Sequence, residues 1–320
     1  MEQSKTKEDI LVSVLCITYN QISYIRQCID SLLMQKTNFK YEIIIHDDCS
    51  TDGTSGLVKE YSQKYPDLIV PIIQSVNQYQ NGIKSIIASF MLPKVRGKYI
   101  AVCEGDDYWT DSLKLQKQVD VLENNPNVYM VYTAFNTVDE NSEIIIRPRY
   151  SSFIKRSHSG NILPDLFYSN FILTFTTMIR REVFFSEIYM NSAIKYDYTL
   201  FFASAFMGES YFLQDVTGSY RKTGGSAITS HHKEVERELY KNYCYFVDLY
   251  LDSVHTVQCK MRERIRIYRN MMVNMFFHND NKHIKLIIKK NIFTSLLVPE
   301  AFSFSLLKKL KWKTYGSIDR

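Results

Sequence analysis

The chain has 320 residues, of which 45% are hydrophobic and 23% charged, and its formal net charge is +5. Such a length and composition are typical of one large globular domain, or of one domain with a smaller appendage. They exclude a disulfide scaffold, so the six cysteines are expected to be free thiols. No stretch reaches the ~18 apolar residues needed to span a bilayer, and the N-terminus lacks the apolar segment of a signal peptide. We therefore expect a cytoplasmic protein, or one that is peripheral on the inner face of the cytoplasmic membrane.

Positive charge is concentrated at the C-terminal end. Residues 281–320 contain eight Lys and one Arg against Glu300 and Asp319, a net charge of +7, so the rest of the chain is about neutral. A basic tail on a neutral chain does not indicate a nucleic-acid-binding protein. Two interpretations of residues 300–320 stay open: a peripheral contact with an anionic membrane, and a helix that docks on the rest of the protein.

Short apolar runs alternate with helical patterns over the first 130 residues. The runs begin at Leu11, Tyr41, Asp67, Lys98 and Val128, and apolar stripes of helical spacing lie near residues 22–33, 57–65, 83–90 and 113–122. Continuous apolar runs predict strands that are buried on both faces. Their alternation with helices predicts an α/β fold with a mostly parallel sheet flanked by helices.

The pattern changes in the second half of the chain. It shows a polar connection (136–161), an apolar segment (171–184), a helical stretch (197–207), short strands ending in a Gly-rich loop (210–230), and strongly helical sequence after His232. The chain is therefore predicted to form one α/β domain over residues 1–231 and a helical C-terminal subdomain over residues 232–320.

Two of the predicted strands end in acidic residues. The run from Tyr41 leads into Asp47, Asp48 and Asp52. A bare carboxylate cluster is costly unless a cation or hydrogen-bond donors face it. A calcium loop would need a Glu six residues after Gly53, where Lys59 stands. Capping of the next helix by Ser50, Thr51 or Asp52 accounts for one of these residues but not for the two acids at the strand end.

The second acidic cluster follows the run from Lys98. Glu104 and Asp106 flank Gly105, so both carboxylates can point the same way in an extended turn, and Asp107 follows. This spacing suits Mg²⁺ or Mn²⁺, whereas the alternative is an acidic turn before a helix. Because ligands bind at the carboxyl ends of strands in open α/β sheets, two acid-ended strands favour a ligand site there.

The segments "VSVLCITYNQISYIRQCIDSLLMQ", "HDDCSTDGT" and "YIAVCEGDDYW" resemble the family 2 nucleotide-sugar glycosyltransferases, which have the GT-A fold. The resemblance covers about residues 11–230 and is closest in the first 125. It implies inverting transfer of a sugar from a nucleotide-diphosphate sugar, with UDP favoured, and Mn²⁺ or Mg²⁺ as the cofactor. The acceptor would be a hydroxyl of a glycan or of a lipid-linked acceptor, in cell-surface polysaccharide biosynthesis.

The resemblance also implies roles for individual residues. The expected nucleotide-binding residues are Thr18, Tyr19, Asn20, Asp47, Asp48, Asn77, Lys84, Glu104 and Gly105, with Tyr19 stacking on the base and Asp48 binding it. Asp106 and Glu104 would hold the metal, in an EGDD-Tyr-Trp variant of the family's D-x-D, and Asp197 would be the general base. The sugar or acceptor pocket would include Asp107, Trp109 and Arg221, although a buried Trp109 and a helix-capping Asp197 are the structural alternatives.

The sequence departs from the family pattern in two places. No histidine follows Tyr220 and Arg221, where the family often has Tyr-Arg-x-His, and Asn77 and Lys84 are only substitutes for an absent Ala-Arg-Asn. A nucleotidyltransferase or a dehydrogenase would carry glycines after the first strand, where "TYNQISYI" has none. A non-catalytic protein that binds nucleotide sugars is the remaining alternative.

Overall fold

The computed structural model describes residues 10–83, 85–148, 151–192, 195–223, 232–253, 261–278 and 280–290. The predictions for Lys84 and for residues 300–320 lie outside the described residues. Within the described part of the chain, no helix combines the length and the apolar character that crossing a membrane requires.

The first half of the protein is a parallel sheet with helical connections. Its strands are β1 (Ile10–Thr18), β2 (Lys40–Asp47), β3 (Ile69–Ile73) and β4 (Tyr99–Glu104), and its helices are α1 (Ile25–Leu33), α2 (Thr54–Lys64) and α3 (Lys114–Asn124). The four strands pair in parallel in the order β3-β2-β1-β4. Residues 12–16 of β1 are fully buried on both faces, as the continuous apolar run predicts.

The second half of the sheet is mixed. Its strands are β5 (Tyr108–Trp109), β6 (Val128–Val138), β7 (Ile144–Ile146), β8 (Met178–Arg180) and β9 (Glu209–Arg221). Strand β8 lies between β4 and β6 and is antiparallel to both, whereas β9 is parallel to β6 and antiparallel to β5. The predicted α/β class with flanking helices is confirmed, but the antiparallel strands of this half make the sheet mixed. Residues 209–221 form one long strand, with register irregularities near Ala134 of β6, in place of the predicted short strands.

The helix predicted near residues 83–90 is present only as an irregular helical segment. The apolar stripe near residues 83–90 gives a π-helical turn at Ile87–Met91 and a 3₁₀ turn at Leu92–Lys94. Pro93 has no backbone N–H to donate, and its ring disfavours continuation of a regular helix through this segment.

The described chain divides into two compact units. One lies within residues 1–160 and 171–235, and the other within 161–170 and 236–320. The first includes α5 (Arg181–Phe184), α6 (Glu187–Met190) and α7 (Asp197–Met207); the second includes α4 (Leu163–Leu166), α9 (Met261–Phe277), α10 (Asn281–Lys290) and most of α8 (His232–Ser253). The boundary in the sequence was predicted at 231/232, whereas residues 161–170 also belong to the helical unit, where Asp165 pairs with Arg266.

The absence of a side chain at Gly97 allows the chain before β4 to pack closely against β1. A Cβ at Gly97 would lie 2.5 Å from the backbone nitrogen of Ser13 and 2.7 Å from the carbonyl carbon of Val12. Because backbone atoms of a buried sheet cannot move aside cheaply, Gly97→Ala should lower the free energy of unfolding by about 1–3 kcal/mol or more, measured by urea denaturation. Gly56→Ala is the matched control, since nothing lies within 4 Å of its Cβ and α2 should gain roughly 0.5–1 kcal/mol. Equal stability of the two variants would contradict this interpretation.

Candidate active site

The loops that follow β1 and β2 are joined by hydrogen bonds. The Asn20 backbone N–H donates to Ser50 Oγ (2.8 Å), the Thr51 N–H donates to Asn20 Oδ1 (2.9 Å), and the Ile22 N–H donates to Asp52 Oδ2 (2.9 Å). Asn20 has a positive φ of 50°, a conformation that Asn adopts more readily than most residues. The Asn20 side-chain oxygen therefore holds the two loops together, a role the sequence did not predict.

Asp47 lies at the end of β2 and is fully buried. Its carboxylate accepts hydrogen bonds from the backbone N–H of Ser50 (3.1 Å) and from the hydroxyls of Ser50 and Ser55. These donors satisfy the charge from within the protein. Asp47 thus shapes the loop that leads into α2, and the predicted contact with a nucleotide has no support from this geometry.

Asp48 is also buried but is satisfied differently. Its two oxygens accept the backbone N–H groups of Gln78 (2.8 Å) and Tyr79 (3.1 Å), which lie after β3. One donor for each carboxylate oxygen leaves an accepting lone pair on each. Tyr19, at the exit of β1, is 41% exposed and free to stack on a planar group. Asn77 instead caps its own turn, with Oδ1 accepting the Gln80 N–H at 2.7 Å.

The end of β4 brings three predicted residues together. The pKa of Glu104 is raised from 4.5 to about 7, chiefly by burial and in addition by the nearby charges of Asp106 and Asp197. Thr174 lies in a turn that packs against β4, and its hydroxyl donates to Asp197 Oδ2 at 3.3 Å. The proposed metal ligands and the proposed base therefore share one site. Thr174 was missed because no motif in the sequence marks it.

Asp197 is the first residue of α7. The N-cap position is occupied by Tyr196, so Asp197 is not the cap that the structural alternative required. Its Oδ1 accepts the backbone N–H of Tyr198 at 2.6 Å, and burial raises the pKa of its carboxyl above the ordinary value. A carboxylate at the start of a helix is stabilised by the helix dipole and remains able to accept a proton.

Residues at the end of β1 pack beside the turn that contains Asp106. Burial raises the pKa of Asp106, while the charge of Arg221 and the nearby Gln21 side chain lower it. Gly105 makes this approach feasible, because a Cβ there would overlap Gln21 Oε1 and lie 2.9 Å from Cβ of Thr18. Thr18 itself is buried and donates to Gln21 Oε1 at 2.8 Å. The roles of Thr18 and Gly105 in this structure are thus in packing behind the acids, and Gln21 is a residue the sequence analysis missed.

Arg221, at the end of β9, is buried with 2% exposure. Its guanidinium donates to the carbonyls of Asp106 (2.9 Å), Asp139 (3.1 Å) and Glu140 (3.0 Å), to Ser142 Oγ (3.0 Å) and to Gln27 Oε1 (2.6 Å). It also lies over the ring of Tyr24, 4.7 Å from the ring centroid. With its nitrogens engaged by protein acceptors, Arg221 anchors the turn after β4, which is a different role from the predicted contact with a sugar or acceptor.

Asp107 also contacts Arg221 and helps to hold the turn after β4. It is buried, and Oδ1 accepts the Arg221 backbone N–H at 2.8 Å. Burial, followed by the charges of Glu104 and Asp106, raises the pKa of Asp107 well above its ordinary value. Tyr220 faces these acids as well, and burial raises the pKa of its hydroxyl to about 12. Asp107 is therefore structural rather than part of an open pocket.

Trp109 does not line a pocket either. It is 1% exposed, its indole N–H donates to the Phe175 carbonyl (2.9 Å), and its backbone N–H donates to Ser31 Oγ (3.0 Å). The ammonium group of buried Lys114 lies 4.6 Å from the ring centroid. The structural alternative, a tryptophan packed between sheet and helix, is the observed one.

The acids at the end of β4 fit a divalent cation. Carboxylate oxygens are the ligands that Mg²⁺ and Mn²⁺ prefer. Glu104 and Asp106 are partly exposed, and burial raises the pKa of both carboxyls, so a cation placed against them would offset the cost of charging them. Glu104, Asp106 and Asp107, at the carboxyl end of β4, form an acidic edge of the sheet. The sheet, its loops and this acidic edge define an α/β protein of the GT-A type.

Comparison with known proteins identifies the family to which this GT-A-type protein belongs. A family model for glycosyl transferase family 2 matches residues 13–186, and the chain belongs to that family. The match includes Asp48, Glu104 and Asp106 and ends before Asp197. The chain is 35% identical over 214 residues to the uncharacterised protein Rv1520 of Mycobacterium tuberculosis, an alignment that covers 66% of this chain and 58% of that protein.

Two solved structures show the same fold. Residues 1–349 of Staphylococcus aureus TarS, in complex with UDP-GlcNAc, match with a TM-score of 0.54 and 18% identity, over 82% of this chain and 80% of that one. The mannosyltransferase PcManGT of Pyrobaculum calidifontis, in complex with GDP-Man and Mn²⁺, matches with a TM-score of 0.51 and 16% identity, over 92% of this chain and 72% of that one.

Arg221→Lys tests the anchor. A lysine keeps the charge but cannot reproduce the fork of five donors, so buried carbonyls lose their partners. The free energy of unfolding should fall by about 3 kcal/mol, measured by urea denaturation. Lys222→Ala, at the next and exposed position, is the control and should stay within about 0.5 kcal/mol of the wild type. A loss below 1 kcal/mol for Arg221→Lys would contradict the anchoring role.

Glu104→Gln tests the burial of the acidic edge. Because the pKa of Glu104 is raised from 4.5 to about 7, its contribution to stability is present below pH ~4.5 and is lost as the pH rises through 7. The free energy of unfolding of Glu104→Gln and of the wild type is measured by urea denaturation without divalent cations. The value for the variant minus that for the wild type should be larger at pH 8 than at pH 5, by on the order of 1 kcal/mol or more.

The exposed Glu60→Gln is the control for this titration, and its difference from the wild type should be the same at both pH values. A Glu104→Gln difference that is likewise independent of pH would show that Glu104 ionises as freely in the folded protein as in the unfolded chain.

Proposed function

We propose that this chain is a metal-dependent, inverting glycosyltransferase that moves a sugar from a nucleoside-diphosphate sugar to a hydroxyl of a glycan or lipid-linked acceptor. UDP is the favoured nucleotide, and cell-surface polysaccharide biosynthesis is the favoured setting. The observation that carries the proposal is the placement of Asp197 beside Glu104 and Asp106: Asp197 accepts a hydrogen bond from Thr174, in a turn that packs against β4, and its charge acts on Glu104. Membership of glycosyl transferase family 2 supports the reaction class.

The donor nucleotide would bind over the exits of β1 and β2. Tyr19 offers an exposed ring for stacking on the base, and Asp48 retains accepting lone pairs for a base N–H. The joined loops after these strands hold both residues in fixed positions. The TarS fragment was solved with UDP-GlcNAc and PcManGT with GDP-Man, so structures of this fold hold nucleotide sugars of two kinds.

The diphosphate would lie against the turn after β4, a variant of the family's D-x-D. A divalent cation of the Mn²⁺ or Mg²⁺ type, held by Glu104 and Asp106, would stabilise the negative charge of the departing diphosphate. Arg221 fixes the Asp106 carbonyl and its backbone N–H is accepted by Asp107, so the turn is ordered before any ligand binds. PcManGT carries Mn²⁺ in its complex.

Asp197 would act as the general base. Its raised pKa makes it a better proton acceptor than an exposed carboxylate, and Thr174 orients Oδ2. An acceptor hydroxyl that loses its proton to Asp197 attacks the anomeric carbon, the bond to the diphosphate breaks, and attack from the opposite face inverts the anomeric centre. The general base is typically worth 10²–10⁴-fold in rate.

Asp106→Asn and Asp197→Asn separate the two roles. Asp197→Asn should lower the rate of sugar transfer by about 10²–10⁴-fold and leave binding of UDP with Mn²⁺ intact. Asp106→Asn should lose both the transfer and the rise in Tm that UDP with Mn²⁺ gives. The measurements are a Tm panel over nucleoside-diphosphate sugars with Mn²⁺ or EDTA, and hydrolysis of the stabilising donor.

Asp67→Asn is the matched control, because Asp67 is exposed and lies before β3, at the end of the sheet opposite the site. It should keep full activity. Full activity in Asp106→Asn or Asp197→Asn would remove the proposed roles. A wild-type Tm that rises with a nucleotide sugar, combined with no turnover under any condition, would favour a non-catalytic binding protein.

A further inference from the structure

A second group of metal-ligating side chains lies in the helical unit, away from the acidic edge of the sheet in sequence. Cys244 belongs to α8, Asp280 precedes α10, and His283 lies in its first turn. One ligand atom from each of the three lies within 4.8 Å of the other two. All three side chains are partly buried, and Cys244 is a free thiol.

Helix capping involves only one of the two carboxylate oxygens of Asp280. Its Oδ1 accepts the His283 backbone N–H at 3.1 Å, as an acid before a helix often does. Its Oδ2 lies 2.7 Å from His283 Nδ1, 3.8 Å from Cys244 Sγ and 2.9 Å from the Tyr240 hydroxyl. The second oxygen is thus at the centre of a cluster that the helix does not require.

The other ring nitrogen of His283 also has a carboxylate partner. Nε2 lies 3.5 Å from Oδ1 of Asp248, one turn after Cys244 on α8. Histidines that bind a metal through one nitrogen commonly direct the other to a carboxylate, which fixes the orientation of the ring. His283 therefore has Nδ1 directed into the cluster and Nε2 directed to an orienting acid.

We propose that Cys244 Sγ, Asp280 Oδ2 and His283 Nδ1 form a binding site for Zn²⁺ that ties α8 to α10. Thiolate, imidazole and carboxylate are the ligands that zinc takes in proteins, at about 2.0–2.3 Å. In a tetrahedral site with those bonds, neighbouring ligand atoms are about 3.5 Å apart. The Asp280–His283 and Cys244–Asp280 separations, 2.7 and 3.8 Å, lie on either side of this value, so small side-chain shifts suffice.

Binding requires Cys244 to lose its proton. The pKa of this thiol is raised to about 11, chiefly by burial; Tyr240 acts to lower it, and the charges of Asp280 and Asp248, which face it, act to raise it. Zinc binding therefore releases protons, and the affinity should increase with pH between 6 and 8.

Cobalt substitution in the full-length chain tests the site. Co²⁺ bound to a thiolate gives an intense charge-transfer absorption in the near ultraviolet, which carboxylate-only sites such as the edge of β4 do not give. The wild type should show this band, and Zn²⁺ should displace it at one equivalent. Cys244→Ser and His283→Ala should abolish the band or weaken Co²⁺ binding by more than 100-fold.

Three further variants complete the test. Asp248→Asn should weaken Co²⁺ binding roughly 10–100-fold, as expected when an orienting acid is lost. Cys49→Ser changes another partly buried free thiol and should keep the band, as should Asp106→Asn. Absence of the band in the wild type, or its persistence in Cys244→Ser, would overturn the zinc site and leave the proposed glycosyltransferase function unaffected.

Discussion

The buried guanidinium of Arg221 is the constraint on which the acidic edge depends. Glu104, Asp106 and Asp107 follow one another at the end of β4, and their charges repel. Arg221 supplies a positive charge beside them and bonds the Asp106 carbonyl, while its own backbone N–H is accepted by Asp107. Removing one partner of a buried charge pair costs far more than an exposed pair contributes. The end of β9 thereby determines where the carboxylates of β4 can point.

The acids of the two strand ends are divided between structure and ligand. Asp47 and Asp107 are satisfied by hydroxyl and backbone donors of the protein, so they shape loops. Asp48, Glu104 and Asp106 keep accepting capacity or partial exposure, and these are the acids that the proposed function assigns to a base and a cation. Like charges at one edge are thus tolerated because Asp47 and Asp107 have partners within the protein, whereas the other three acids keep room for a ligand.

Local pattern and long-range packing explain which features the sequence could predict. The strands β1, β2, β4 and β6 could be predicted because a strand that is buried on both faces consists of consecutive apolar residues, which are visible in the sequence. The insertion of antiparallel β8, the anchor of Arg221 and the bond from Thr174 to Asp197 arise from contacts between residues far apart in the chain, and these leave no periodic mark. Trp109 was assigned to a pocket because an aromatic ring suits a sugar face as well as a core, and only packing distinguishes the two.

The reciprocal bonds between the loops after β1 and β2 bear on the redesign of donor preference. Tyr19 and Asp48 stand on different loops, yet Asn20 and Thr51 bind these loops to each other. A chimaera that takes only one loop from a relative would leave a backbone N–H or an amide oxygen without its partner and would displace both side chains. The two segments therefore have to be exchanged together in any attempt to alter nucleotide choice through the proposed contacts of Tyr19 and Asp48.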